Sequence, residues 1–166
     1  HPLRRADRPP PQRLEERPVA ALVAMEGVVE TRAGDRGAWR PVQVRHRFCP
    51  GDQVTVRGLG RAAVVLEDDV LVRLDQHTTM TLPVRAKDAD AGLTLPEGVI
   101  HIISRFRKRF GVTTPMINAL VDGTEFVVVG GSRHSRVTVA EGQVWVLTDS
   151  EQRKLAAGEA VDALPG

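Results

Sequence analysis

The stretch Gly58–Leu82, GLGRAAVVLEDDVLVRLDQHTTMTL, decides how the chain is read. Val70, Val72 and Leu74 recur at every second position, and so do Met80, Leu82 and Val84 and, upstream, Val54 and Val56. A period of two is that of a strand with one buried face, and helical spacing fits poorly. Ala62 to Leu66 and, later, Phe126 to Val129 are apolar on consecutive positions, which predicts interior strands buried on both faces. Gly58, Gly60 and Ala63 match G-x-G-x-x-A, a pattern that binds a dinucleotide only when a helix N-terminus follows and its N–H groups meet the pyrophosphate. β-branched residues and another strand follow instead, so no cofactor is expected there.

Outward from this stretch, Gly, Asp and Pro corners recur: Gly34 to Gly37, Pro50 to Asp52, Asp68 and Asp69, Pro96 and Gly98, Asp122 and Gly123, Gly130 and Gly131, Glu141 and Gly142, Gly158. Strands separated by turns at intervals of about 8–12 residues indicate an all-β fold, here a layered β-solenoid or β-sandwich-like domain with short strands. Residues 1–18, with five arginines and five prolines and almost nothing apolar, are expected to form an irregular arm or linker, and 19–166 the folded domain. Pro18 interrupts the one helix-like segment, QRLEERPVAALVAM, which therefore reads as a strand entering from the arm.

Composition narrows the function. With 23 basic and 21 acidic side chains the net charge is +2, too even for a general nucleic-acid binder. Cys49 is the sole cysteine, which rules out an internal disulfide and a multi-cysteine zinc site; a buried, inert thiol is expected. No apolar run approaches the ~20 residues of a membrane helix. No secretory leader is visible, and since the chain starts at His1 that says nothing about location.

Local chemistry is sparse. His46, His77, His101 and His134 show no metal-ligand spacing, and Ser132 lacks a nucleophile elbow. Asp68 and Asp69, as strand neighbours, point to opposite faces and do not converge as an acid–base pair would. No catalytic, metal or cofactor-binding residue is assigned. In SRFRKRF a regular strand would align Arg105, Arg107 and Arg109 on one face, a candidate site for an acidic protein or another anionic envelope component. A solvated, charged edge strand is the plainer account. In NALVDGTEFVVVGG, Asp122 and Gly123 read as a turn, with Thr124 and Glu125 bonding exposed backbone and Phe126 entering an aliphatic core.

These residues also carry a resemblance. GVVETR, Trp39-Arg40-Pro41, FCPGDQVTVRGLGRAAVVLEDDVLVRL, the block from Thr114-Pro115 through Asn118 to Asp122-Gly123-Thr124-Glu125-Phe126, and AEGQVWV with Glu141 and Gly142 resemble, in order, the FecR domain family of bacterial extracytoplasmic proteins. The likeness runs from about Leu22 to Val161. It implies an all-β, solenoid-like binding and signalling module without enzymatic activity or cofactor, located in the periplasm or at the cell surface, and a structural role for the 114–126 block. Membrane-spanning members carry information from an outer-membrane receptor to a sigma factor; the further segments such transducers possess are not recognised in this chain. Two other readings stand beside this one. Copies could self-assemble by donating the segment before Val19 as a strand to a neighbour's sheet edge, or the domain could act on envelope glycan.

Overall fold

The computed structural model describes residues 17–84 and 92–165, apart from the side chains of residues 68, 105–108, 110 and 124. Thirteen strands follow one another: β1 Ala20–Glu26, β2 Val29–Arg32, β3 Arg40–Pro41, β4 Arg47–Phe48, β5 Gln53–Val56, β6 Arg61–Leu66, β7 Val70–Leu74, β8 Thr79–Thr81, β9 Gly92–Thr113, β10 Asn118–Gly130, β11 Ser135–Leu147, β12 Gln152–Ala156 and β13 Ala160–Ala163. Strands take up most of the described residues and the only helix among them is the three-residue turn Glu67–Asp69, so the fold is all-β, as expected. Gly60 leads directly into strand β6, where a dinucleotide site would need a helix.

Every strand pair is antiparallel, and one sheet folds over itself through β9. Its first residues, Thr94 and Glu97, pair with β8, in the order β3-β2-β5-β8-β9. Beyond them β9 pairs with β7 on one side and β10 on the other, within the run β4-β1-β6-β7-β9-β10-β11, and β11 carries both β13 and β12. Two layers result, and they share one aliphatic core that includes Val54, Met80 and Leu95 from the first and Leu22, Ile102 and Val137 from the second. Among the described residues Phe48 and Phe126 are its fully buried rings. Gly98, with φ +111° and Thr78 packed close to it, stands where β9 passes from its pairing with β8, which ends at Glu97, to its pairing with β7, which begins at Ile100.

Several expectations need correction. Ala62–Leu66 and Phe126–Val129 are not buried on both faces: Ala62, Val64, Phe126 and Val128 are buried, whereas Ala63, Val65, Val127 and Val129 are only half-buried. Conversely β5 is buried on both faces, because Gln53 and Thr55 form a polar ladder with Thr81 and Thr79 at 3.1 and 2.9 Å. Arg32 donates to Gln53 at 2.6 Å, and its guanidinium lies 4.4 Å from the centre of the Trp39 ring, so the ladder is covered as well as satisfied. Val84 is 65% exposed, and Cys49 is half-buried rather than buried. Three of the expected corners, at Pro96–Gly98, Asp122–Gly123 and Glu141–Gly142, lie inside β9, β10 and β11.

Candidate functional site

The block from Thr114 to Phe126 runs from the β9–β10 hairpin into β10. Thr114 is buried at the tip of the β9–β10 hairpin, where its hydroxyl accepts from Ile117 N–H at 2.9 Å and donates to Ile117 C=O at 3.2 Å. Pro115 occupies the exposed turn, and Asn118 opens β10. The turn expected at Asp122–Gly123 is absent: Asp122 pairs across with Arg109 inside β10, and Gly123 faces Gly142 of β11. A β-carbon on Gly123 would lie 2.8 Å from Gly142 Cα, and one on Gly142 2.4 Å from Gly123 Cα, so the two glycines let the backbones touch. Glu125 does not bond corner backbone; it pairs with His101 across the ladder at 2.8 Å. Glu141 is exposed beside it, and Phe126 fills the core as expected.

The regular alternation needed to align the three arginines does not hold. Between the pairs Lys108–Gly123 and Ile103–Glu125, β9 carries four residues where β10 has only Thr124, and Arg105 and Arg107 fall in this bulge. Their side chains lie outside the described residues; Arg109 is exposed, one position beyond the bulge's closing pair.

A different surface emerges on the outer side of the second layer. Cross-strand registers place Val65, Leu71, Ile103 and Glu125 in one row, and Ala63, Arg73, His101 and Val127 in the next. Glu26–Arg61 at one end and Val99–Val129–Arg136–Asp162 at the other belong to a third row, joined through Asp75, which donates its N–H to Val99 C=O. An antiparallel sheet facing water normally alternates to polar side chains outward. Here Val65, Leu71, Ile103, Ala63 and Val127 of the two central rows are aliphatic and half-buried, Arg73, His101 and Glu125 stand among them, and the third row carries most of the remaining charges.

Part of this face is concave. A groove of about 400 Å³ is lined by Ala24, Met25 and Glu26 of β1, Arg61 and Ala63 of β6, Arg73 of β7, Asp75, and Val99 and His101 of β9, among others. Arg61 lies 3.8 Å from Asp75, and His101 is held by Glu125. At the far end Asp162 accepts from His134 at 2.6 Å and from Arg136, and those two hydrogen bonds, His134's first, hold its carboxyl below the ordinary 3.8. Arg73 has no ion-pair partner among the described residues.

The remaining sequence candidates do not converge. His46 packs edge-on against Phe48, His77 sits in the exposed turn after β7 with φ +57°, and Ser132 is exposed between β10 and β11. Among the described residues no group of three His, Cys, Asp or Glu side chains is arranged to hold a metal, and no helix is long and apolar enough to cross a membrane. Sequence reading missed the open face, although its signal was present: consecutive apolar residues in four neighbouring strands, at Ala62–Leu66, Val70–Val72, Ile102–Ile103 and Phe126–Val129.

Comparison with known proteins agrees with the sequence resemblance. Two crystal structures of a candidate anti-sigma factor from Parabacteroides distasonis align with TM-scores of 0.57 at 22% and 21% identity, covering 68% of this chain. The aligned part spans 59% of that protein, so the likeness is one of fold. A comparison with curated proteins found no match. The profile of the FecR protein family matches residues 52–145, from the Asp52 turn through the open face to Trp145, and the chain belongs to that family.

Proposed function

We propose that this FecR domain is a non-enzymatic protein-interaction module of an extracytoplasmic signalling system, and that it docks its partner on the outer face of the second layer. The observation that carries the reading is the distribution of side chains there. An aliphatic centre built from Val65, Leu71, Ile103 and Val127 is bordered by Arg61 with Asp75 and by Arg136 with Asp162. An apolar centre within a polar rim is the anatomy of a protein–protein interface, and contiguous outward aliphatics on a soluble sheet mark such sites. The anti-sigma description of the P. distasonis protein and the family assignment support a regulatory role over a catalytic one. The extracytoplasmic location rests on the family resemblance.

Photo-crosslinking in cells tests the reading. A photoreactive residue in place of Val127 should give a discrete protein adduct, and one at Leu59, which is 91% exposed in the β5–β6 loop, should not. Adducts from Leu59 and none from Val127 or Leu71 would refute docking on this face. Turnover of labelled envelope glycan by the purified domain would refute the non-enzymatic assignment.

A further inference from the structure

Among the charges on this face, Glu26 on β1 and Glu141 on β11, both exposed toward its sides, and Arg73 at its centre have no ion-pair partner among the described residues. Arg61 lies beside Asp75, His101 beside Glu125, and Arg136 beside Asp162. Arg73 projects from the middle of β7 between Ala63 and His101, lines the groove, and has no anionic partner among the described residues. In water an unpaired guanidinium is unremarkable. Under a docked partner it becomes a desolvated charge, whose cost exceeds anything the surrounding aliphatics return unless an anion meets it.

Resting on the docking role proposed above, we infer that the occupant is an acidic-apolar protein segment that sets a carboxylate against Arg73 and aliphatic side chains along Val65, Leu71 and Val127. A guanidinium offers a planar, two-pronged donor that suits a carboxylate, and the small Ala24 and Ala63 beside it leave room for one to approach. Size agrees with a protein occupant. Seven strands at ~4.8 Å spacing and three rows of outward residues make a face of roughly 35 by 20 Å, about 700 Å², close to one side of a standard protein interface. His101 faces Arg73 from β9 and Glu125 hydrogen-bonds His101 from β10, so that carboxylate is engaged by the imidazole and Arg73 is left at the centre with no ion-pair partner among the described residues.

The probe is a random dodecapeptide phage library panned on the whole purified chain, followed by fluorescence anisotropy of the enriched peptides made synthetically. Enriched sequences should carry Asp or Glu flanked by aliphatic residues. Arg73→Glu should weaken their binding by at least about 30-fold, as loss of a buried charge pair does, with Arg73→Lys falling between. Val127→Arg should weaken it comparably, and Leu59→Ser should leave it unchanged; thermal melts of each variant separate misfolding from lost contact. Sensitivity to Val127→Arg without sensitivity to Arg73→Glu, or enrichment of basic peptides on this face, would overturn the acidic-partner inference and leave the docking face standing. Tight peptides indifferent to both substitutions would overturn the inference and the location of the face while leaving an interaction module. No enrichment above background would count against both.

Discussion

Replacing Gly98 by alanine tests the central feature of the fold, a single strand that passes from one layer into the other. With φ at +111°, an L side chain at this position sits in backbone territory close to glycine-only, at a cost of about 1–3 kcal/mol. The added carbon would also lie 2.4 Å from Thr78 Cα and 2.6 Å from Thr78 Cβ. Thr78 cannot step aside cheaply: it is fully buried, and its hydroxyl accepts from Val99 N–H at 3.0 Å. Forcing such a contact in a packed interior costs about 1–3 kcal/mol more. The sum, about 2–6 kcal/mol, is a large share of the ~5–15 kcal/mol that holds a domain folded, and at this size corresponds to a fall in Tm of about 4–24 °C. Urea unfolding followed by tryptophan fluorescence is the assay, because Trp39 reports on the first layer and Trp145 on the second. Both should shift to lower urea together. The control is Gly58→Ala, where φ is +52° but nothing lies within 4 Å of the new carbon, so that about 1 kcal/mol of backbone strain is all that is added. A Gly98→Ala protein no less stable than Gly58→Ala would refute the argument that this position needs glycine.

Phe126→Ala should cost about 3–5 kcal/mol in the same assay, because a fully buried ring leaves a cavity between the layers. Thr114→Val should cost about 1–2 kcal/mol, since the hairpin-tip N–H of Ile117 loses its acceptor in a buried site. Glu125→Gln should change stability by less than about 1 kcal/mol, because its pair with His101 is partly exposed, which makes it a clean variant for binding tests. Asp162 supplies a pH test: its folded carboxyl is held below 3.8 by His134 and Arg136, so its contribution is present above the unfolded value and is lost as pH falls through the lower folded one. In Tm profiles taken from about pH 6 to about pH 2, Asp162→Asn should lack that acid-side loss; profiles of identical shape would show that the pair does not form in solution.

The first half of the chain was legible because its strands are short and its glycines sit where the chain turns. Alternation placed Val70, Val72, Leu74, Met80 and Leu82 in the core, where all five lie. The period failed in β5 because Gln53 and Thr55, polar and so read as outward, satisfy one another's neighbours across β8 and are roofed by Arg32 and Trp39; single-strand alternation cannot register a cross-strand ladder. Consecutive apolar residues were read as double burial because an outward aliphatic face is unusual, and that face, half-buried at Val65, Leu71, Ile103 and Val127, is the candidate docking surface. The arginine row was drawn on the assumption of unbroken strand register, and the bulge between Ile103 and Lys108 removes that assumption. Neither His101 with Glu125 nor Arg73 could be singled out from spacing, since the residues are brought together only by pairings between distant strands.

The glycines misread as corners do something a corner cannot. In β9 the inward residues before Gly98 are Leu93 and Leu95, and after it Ile100 and Ile102; in β10 they are Ala119 and Val121 before Gly123, then Phe126 and Val128; in β11 they are Val137 and Val139 before Gly142, then Val144 and Val146. Odd gives way to even each time. Because side chains alternate strictly along a strand, one extra residue exchanges its two faces, and without these irregularities Phe126 would point to water and Glu125 into the core. Both β9–β10 and β10–β11 shift register at Gly123, and there Gly123 and Gly142 face each other with no side chain between them. The long strands thus correct their facing midway without ending. That keeps β9, β10 and β11 continuous behind the open face, and it turns Glu125 outward to meet His101 at the face's centre.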